Sequence, residues 1–326
     1  MTREVILWLM LFFICLGLGY PTLNRYDPRS TGGLSDTQAY YDLVTSGSDS
    51  VFGHMRFRVL VPLLARPLYL AAKGRTGTWE PVFLGFLIVN AFFTATTAWL
   101  LVVVGRRLVR TEAVALLAAA LYLLNFEISN LRLSGMVDSA EGCFLMAIVW
   151  SLLCRRLWLL PVWGLIGAFG KETLAPYAIV FTAIWWFVSR DRERWKPLET
   201  AAILSTGLAA LGGVATVQSL ISGHVAWPWE FAMSMRAESG HLTALLSNIL
   251  DRNLLYGFCW LLPIAVLRLN RFPRPWIAAC AAAALADYSL TAYYVAQPGT
   301  AVRSLFSIAG PLLSLSAAQY LAGDMH

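Results

Sequence analysis

Apolar residues in this chain are gathered into long runs, and the polar residues between them fall in short clusters. The first run, "VILWLMLFFICLGLGY", follows Arg3, and runs of the same character recur along the chain. Those long enough to cross a hydrocarbon core lie at roughly 5–21, 82–104, 113–129, 138–154, 157–170, 174–189, 199–221, 254–269, 275–295 and 303–321. The pattern predicts an all-α fold, a polytopic transmembrane bundle of about ten helices.

The turns supply an orientation. "GRRLVRTE", "CRRLW", "SRDRERWK" and "RLNRFPRP" are short and dense in arginine, and the short turns that alternate with them are poorer in Lys and Arg. Lys and Arg collect on the cytoplasmic side, so the N-terminus is expected inside, with the four arginine-rich turns in the cytoplasm. One segment tests this count. Residues 59–72, "VLVPLLARPLYLAA", are apolar, but the run is short, contains two prolines and carries Arg66 in its middle. A span there would send every arginine-rich turn outside, so it reads as a helix lying in the outer interface. The result is a single transmembrane domain over 1–326, with a long non-cytoplasmic loop at 22–81 that carries interfacial helices. A second outer loop, at about 222–253, contains "HVAWPWEFAMSMRAESGH". No internal repeat, low-complexity tract or terminal soluble domain is expected.

Composition agrees with this picture. Hydrophobic residues make up 58% of the chain, charged residues 13%, and the mean hydropathy is +0.62. A water-soluble domain of this size carries about twice as much charge. The net charge of +6 and pI near 9.2 follow from the cytoplasmic Lys and Arg, and no arginine-aromatic arrangement points to nucleic acid. The first run is long and bulky and is followed by no small-x-small site, so it is expected to be a retained span. Cys15, Cys143, Cys154, Cys259 and Cys280 all fall in apolar runs without a CxxC pair, which suits packing.

Candidate chemistry concentrates on the outer side. Lys171 and Glu172 interrupt two apolar runs in "LIGAFGKETLAPYAIV". In hydrocarbon each would cost roughly 2.5–3.5 kcal/mol, so protein or water must line their surroundings. Alone, the pair reads equally as hairpin polarity that keeps a loop wet. Its company changes that, because further charges fall on the same face. They are Asp36 and Asp42, with Tyr40 and Tyr41, in "GGLSDTQAYYDLVTSG", and His54, Arg56 and Arg58 in "HMRFRVLVPLLARPL". Asp138, near Glu141, follows in "LSGMVDSAEG", and Arg303 in "GTAVRSLFSIAGPLL". Carboxylates and guanidiniums converging on one membrane face suit transfer chemistry on an anionic lipid. Arg56 reads as a snorkelling residue, and His54, His224 and His241 as makers of loop hydrogen bonds. Asp287, inside the ninth run, is expected to be functional or paired, with Lys171 or Arg303 as its partner.

In this order "SDTQAYYDL", "FRVLVPLLA", an acid at an outer helix end, "KET" and a late outer arginine resemble the GT-C-type membrane glycosyltransferases. The small bacterial members without a soluble domain are the most similar. The resemblance implies a donor sugar on a polyprenyl phosphate or diphosphate, and a glycan, lipid or protein acceptor. It also implies a bacterial plasma membrane location, with the site facing the periplasm or exterior. The acid of the first outer loop is then the general base for an inverting displacement. Asp36, four residues before Tyr40, matches it, and Asp42 is its rival.

Arg58 and Arg303 are the expected phosphate ligands, since a guanidinium fork binds phosphate bidentately. Tyr40 belongs with the substrate-binding set. Lys171 would add a point charge, Glu172 would orient it or contact sugar, and Asp138 would bind sugar hydroxyls or a divalent ion. No dense carboxylate cluster demands a metal, and the requirement is left open. Two other readings of the charged set stand beside this one: a lipid or polysaccharide transporter or flippase, and a non-catalytic membrane partner in glycan assembly. The charges are one-sided, and no pair of broken helices repeats, which weighs against transport.

Overall fold

The computed structural model describes residues 2–25, 36–191, 193–234 and 236–323, and among these every regular element is a helix. The first half contains α1 (Arg3–Gly19), α2 (Thr22–Arg25), α3 (Thr37–Thr45), α4 (Leu60–Ala72), α5 (Pro81–Val109), α6 (Glu112–Leu123), α7 (Asp138–Leu153) and α8 (Leu160–Ala168). The second contains α9 (Leu174–Ser189), α10 (Pro197–Ser222), α11 (Glu230–Ser234), α12 (His241–Ile249), α13 (Arg252–Phe258), α14 (Leu261–Val266), α15 (Arg274–Tyr293) and α16 (Thr300–Leu321). Part of the first-loop motif, the "GGLS" before Asp36, lies outside the described residues.

Three helices, α5, α10 and α16, are long and apolar enough to cross a membrane. Several other runs form helices below that length, such as α1 with 17 residues and α7 and α9 with 16 each. The run 254–269 is not one helix. Pro263 has no N–H to give the carbonyl four residues back, and its ring crowds that carbonyl, so the chain breaks between α13 and α14. The 59–72 segment forms α4, whose 13 residues rise about 20 Å, less than a hydrocarbon core.

Burial separates centre from periphery. The apolar stretch of α16 is 83% buried and that of α5 72%, against 39% for α10, which leaves Leu204, Leu208 and Leu220 exposed. Helix directions then sort the charges. Helices α7, α9 and α16 all start beside one cluster of ionised side chains and run away from it. At the far end of α16, Leu315 packs near Gly105, next to Arg106. There Arg106 is bridged to Glu4 and Glu112 at 2.6 Å each, and Arg3 to Glu112 at 2.9 Å. Arg155, after α7, meets Glu193, after α9, at 2.9 Å, again remote from the cluster.

Small residues allow the helices their closest approaches, as they must where hydrocarbon gives no hydrophobic drive between helices. A methyl group at Gly213 would lie 2.7 Å from the Leu165 carbonyl oxygen, and one at Gly85 2.8 Å from that of Ala65. Gly164 faces the Thr206 carbonyl in the same manner. Gly213→Leu is therefore expected to destabilise the fold by about 1–3 kcal/mol through overpacking, read as a lower melting temperature in detergent. Gly212→Leu is the control, since Gly212 has nothing within 4 Å of its would-be methyl, and it should melt normally.

Candidate functional site

Local structure brings these charges together. Asp36 precedes α3 at the N-cap position but makes no side-chain cap bond, which leaves its carboxylate for another partner. Tyr40 follows one turn later on the same face, so both side chains point the same way. The first amide of α4, Leu60 N, donates to Phe169 O at 2.9 Å, and this fastens Arg58 beside the Lys171–Glu172 turn. The start of α7 is fixed by Asn90 of α5, whose Nδ2 donates to Met136 O at 2.8 Å while its Oδ1 accepts from Ser139. Gly135, at φ +96°, makes the preceding turn in a conformation that favours glycine.

Two linked ion-pair sets result. In the first, Arg58 grips Glu172 with its fork, Nε to Oε2 at 2.9 Å and Nη2 to Oε1 at 2.6 Å, while Nη1 donates to Tyr40 Oη at 2.7 Å. In the second, Lys171 Nζ donates to Asp138 Oδ1 at 2.7 Å, Ser304 Oγ at 3.0 Å and Glu141 Oε2 at 3.5 Å. Thr173 donates to the other oxygen of Glu141. Arg303 closes the second set, with Nη1 3.0 Å from Asp36 Oδ2 and 3.9 Å from Asp138 Oδ2. All seven candidate residues, Asp36, Tyr40, Arg58, Asp138, Lys171, Glu172 and Arg303, thus belong to one assembly.

Accessibility divides it into a floor and a rim. The side chains of Lys171, Asp138 and Glu141 are 5%, 2% and 0% exposed, whereas those of Glu172, Asp36 and Arg303 are 25%, 18% and 16% exposed. Lys171 spends its three N–H donors on the floor and is a structural cation first. Arg303 stands at the rim, where an anion can reach it. Burial pushes the Asp36 carboxyl up, but the Arg303 and Arg58 charges outweigh it and hold the group below the usual carboxylate range. Burial also acts upward on Glu172, and the Arg58 fork overcomes it to bring that carboxyl down to about 2.

Several partnerships differ from the sequence expectations. Glu172 orients Arg58 rather than Lys171, because the α4–α8 backbone tie brings the guanidinium to it. Asp287 accepts from Tyr177 Oη, and neither Lys171 nor Arg303 is hydrogen-bonded to it. The carboxylate of Asp42, the rival base, accepts from Gln38 Nε2 at 3.0 Å one turn back on α3. His241, by contrast, makes a hydrogen bond as expected, with the Ala292 carbonyl at 2.9 Å. Arg56 donates to Ser222 Oγ at 3.2 Å and lies 4.7 Å from the centre of the Phe57 ring.

Two buried residues were not singled out from the sequence. Arg132 donates to Tyr122 Oη at 3.1 Å and Ser307 Oγ at 2.7 Å, and Glu127 is fully buried. The signal was present for Glu127, an acid inside the 113–129 run. Among the described residues no group of three or more His, Cys, Asp or Glu side chains is arranged to hold a metal ion. No protein-family model matches the chain, and no curated protein or solved structure matches it either.

Two outcomes follow from the floor and the rim. Lys171→Met leaves Asp138 and Glu141 without their cation, and should cost about 3–5 kcal/mol of stability in thermal melts. The Lys171→Met/Asp138→Asn pair should recover part of that loss, and strict additivity would mean that the two groups are not coupled. For Glu172, the folded carboxyl lies below its ordinary 4.5, so its contribution is complete above that pH and is lost as pH falls toward about 2. Melting temperature should therefore drop across this window, and Glu172→Gln should flatten the drop.

Proposed function

We propose that this chain is an integral membrane glycosyltransferase of the GT-C type. It takes a sugar from a polyprenyl phosphate or diphosphate and transfers it to an acceptor hydroxyl at the outer face of a bacterial plasma membrane. In this reading the bundle crosses the membrane about ten times, with α4 in the outer interface and the Arg106 and Arg155 clusters in the cytoplasm. The observation that carries it is the single charged assembly of residues from five separate stretches of sequence, with Asp36 and Arg303 at its accessible rim.

The residues divide the reaction between them. Asp36 takes the proton from the acceptor hydroxyl as that oxygen attacks the anomeric carbon. The bond to the lipid phosphate breaks on the opposite side of that carbon, and configuration inverts. Arg303 receives the departing phosphate, helped by the field of Arg58 and Lys171. Asp138 holds Lys171 and faces Arg303, so it sets the position of both cations.

The test is release of lipid phosphate from a polyprenyl-phosphate sugar by purified protein. Asp36→Asn keeps shape but cannot take a proton, and turnover should fall on the order of 100-fold or more. Asp42→Asn should stay near the parent rate. Arg303→Lys keeps charge but removes the planar fork, and activity should drop while the protein still inserts and melts normally. A dead Asp42→Asn variant beside an active Asp36→Asn variant would sink the assignment of the base.

A further inference from the structure

After α6 the segment "NFEISNLR" turns toward α7, and Asn125 organises its start. The Asn125 Nδ2 donates to Gly257 O in α13 at 2.7 Å, and its Oδ1 accepts from Glu127 N at 3.0 Å. This clamp sets the Glu127 side chain against the broken α13–α14 pair. Glu127 is fully buried, yet neither of its carboxylate oxygens has a hydrogen-bond partner among the described residues, and the same holds for Nε of Arg132. Gly257 of α13 lies against the acid. A methyl group added at Gly257 would sit at ordinary contact distance, 3.5 Å from Glu127 Cγ and 3.8 Å from Oε1.

The place belongs to the charged end of the bundle. Glu127 interacts electrostatically with Arg132, Asp138 and Arg303. Arg132 Nη2 reaches the Arg303 carbonyl at 3.5 Å, and the guanidinium lies 5.2 Å from the centre of the Phe306 ring. Gly142 leaves space for Arg132, since a methyl there would collide with Nη1.

A buried carboxylate without donors is costly, and an apolar side chain of similar size would avoid the cost. The acids of the floor differ, because Lys171 and Thr173 satisfy them. We infer that Glu127 is a sugar-binding residue, whose two oxygens accept from neighbouring hydroxyls of a vicinal diol, with Arg132 Nε donating to an adjacent oxygen of the same sugar. The inference rests on the glycosyltransferase reading and deepens it to a sugar with an unsubstituted diol. Other ligands fit worse. A metal cation would be opposed by Arg132 and Arg303, and among the described residues no group of three or more His, Cys, Asp or Glu side chains is arranged to hold one. A phosphate would be repelled by the carboxylate itself.

The experiment compares wild type with Glu127→Gln and Glu127→Leu, using polyprenyl-phosphate-linked hexoses and pentoses and their 2-deoxy counterparts as donors. On a donor with the diol that the wild type uses, Glu127→Gln should raise KM about 10- to 100-fold, the range for hydrogen bonds to a charged group. The penalty should shrink on the deoxy donor. Without substrate, Glu127→Leu should melt at or above the wild-type temperature, because it removes an unpartnered buried acid. A Glu127→Gln variant with unchanged KM on every accepted donor overturns the inference while leaving the transferase reading intact, and so does a Glu127→Leu variant that melts well below wild type. If wild type releases lipid phosphate from no donor, the transferase reading fails, and the sugar site falls with it.

Discussion

The ammonium of Lys171 has to be neutralised inside an apolar bundle, and much of one end of the structure is organised around that requirement. An unpaired buried ammonium carries a penalty of several kcal/mol, more than any single helix contact nearby can offset. Helix α7 answers with Asp138 and Glu141, three residues apart and so on one face of its first turn. Helix α16 answers with Ser304, and the turn after α8 adds Thr173, which holds Glu141. Two helices and a turn are therefore pinned to one point, and Arg303, one residue before Ser304, is delivered to the edge of the cluster.

A second pin, Arg58 with Glu172 and Tyr40, joins α3 and the segment before α4 to the same turn. Lys171 and Glu172 are adjacent in sequence but point into different sets. The turn after α8 is thus the hinge point of the assembly, with one side chain on the floor and the next at the rim. This explains how a loop near the N-terminus and a helix near the C-terminus come to share the Asp36–Arg303 contact without packing extensively on each other.

That Asp36, Asp138, Lys171 and Arg303 gather at one end of the bundle, away from Arg106 and Arg155, was legible in the sequence, because the lengths of the runs set which ends of successive helices lie together. Partners were not legible. Glu172 precedes Thr173 and follows Lys171, so proximity in sequence suggested a local pair, whereas the Leu60–Phe169 backbone bond, a tertiary contact between distant segments, brings Arg58 instead. Asp287 was read correctly as needing a partner, but Tyr177 lies on α9, and nothing in either segment names the other. The break at Pro263 was present in the sequence and was overridden by the apolar character of the run around it. Glu127 escaped notice for a similar reason, since a single acid near the end of a run looks like its boundary.

The contact between Asp36 and Arg303 has a consequence for the proposed reaction. A carboxylate held by two guanidiniums is ionised but weakly basic, and a weak base is a poor acceptor for a hydroxyl proton. The same Arg303 is the rim cation that the proposed reaction would offer to the lipid phosphate. Phosphate carries more charge than one carboxylate and matches the guanidinium fork bidentately, so a bound donor draws Arg303 away from Asp36. Loss of that partner removes the largest attraction holding the carboxyl low, and its proton affinity rises where the acceptor hydroxyl must be deprotonated. In the proposed reaction the arrival of the donor would thereby strengthen the base, which the ion pair with Arg303 otherwise holds at low basicity.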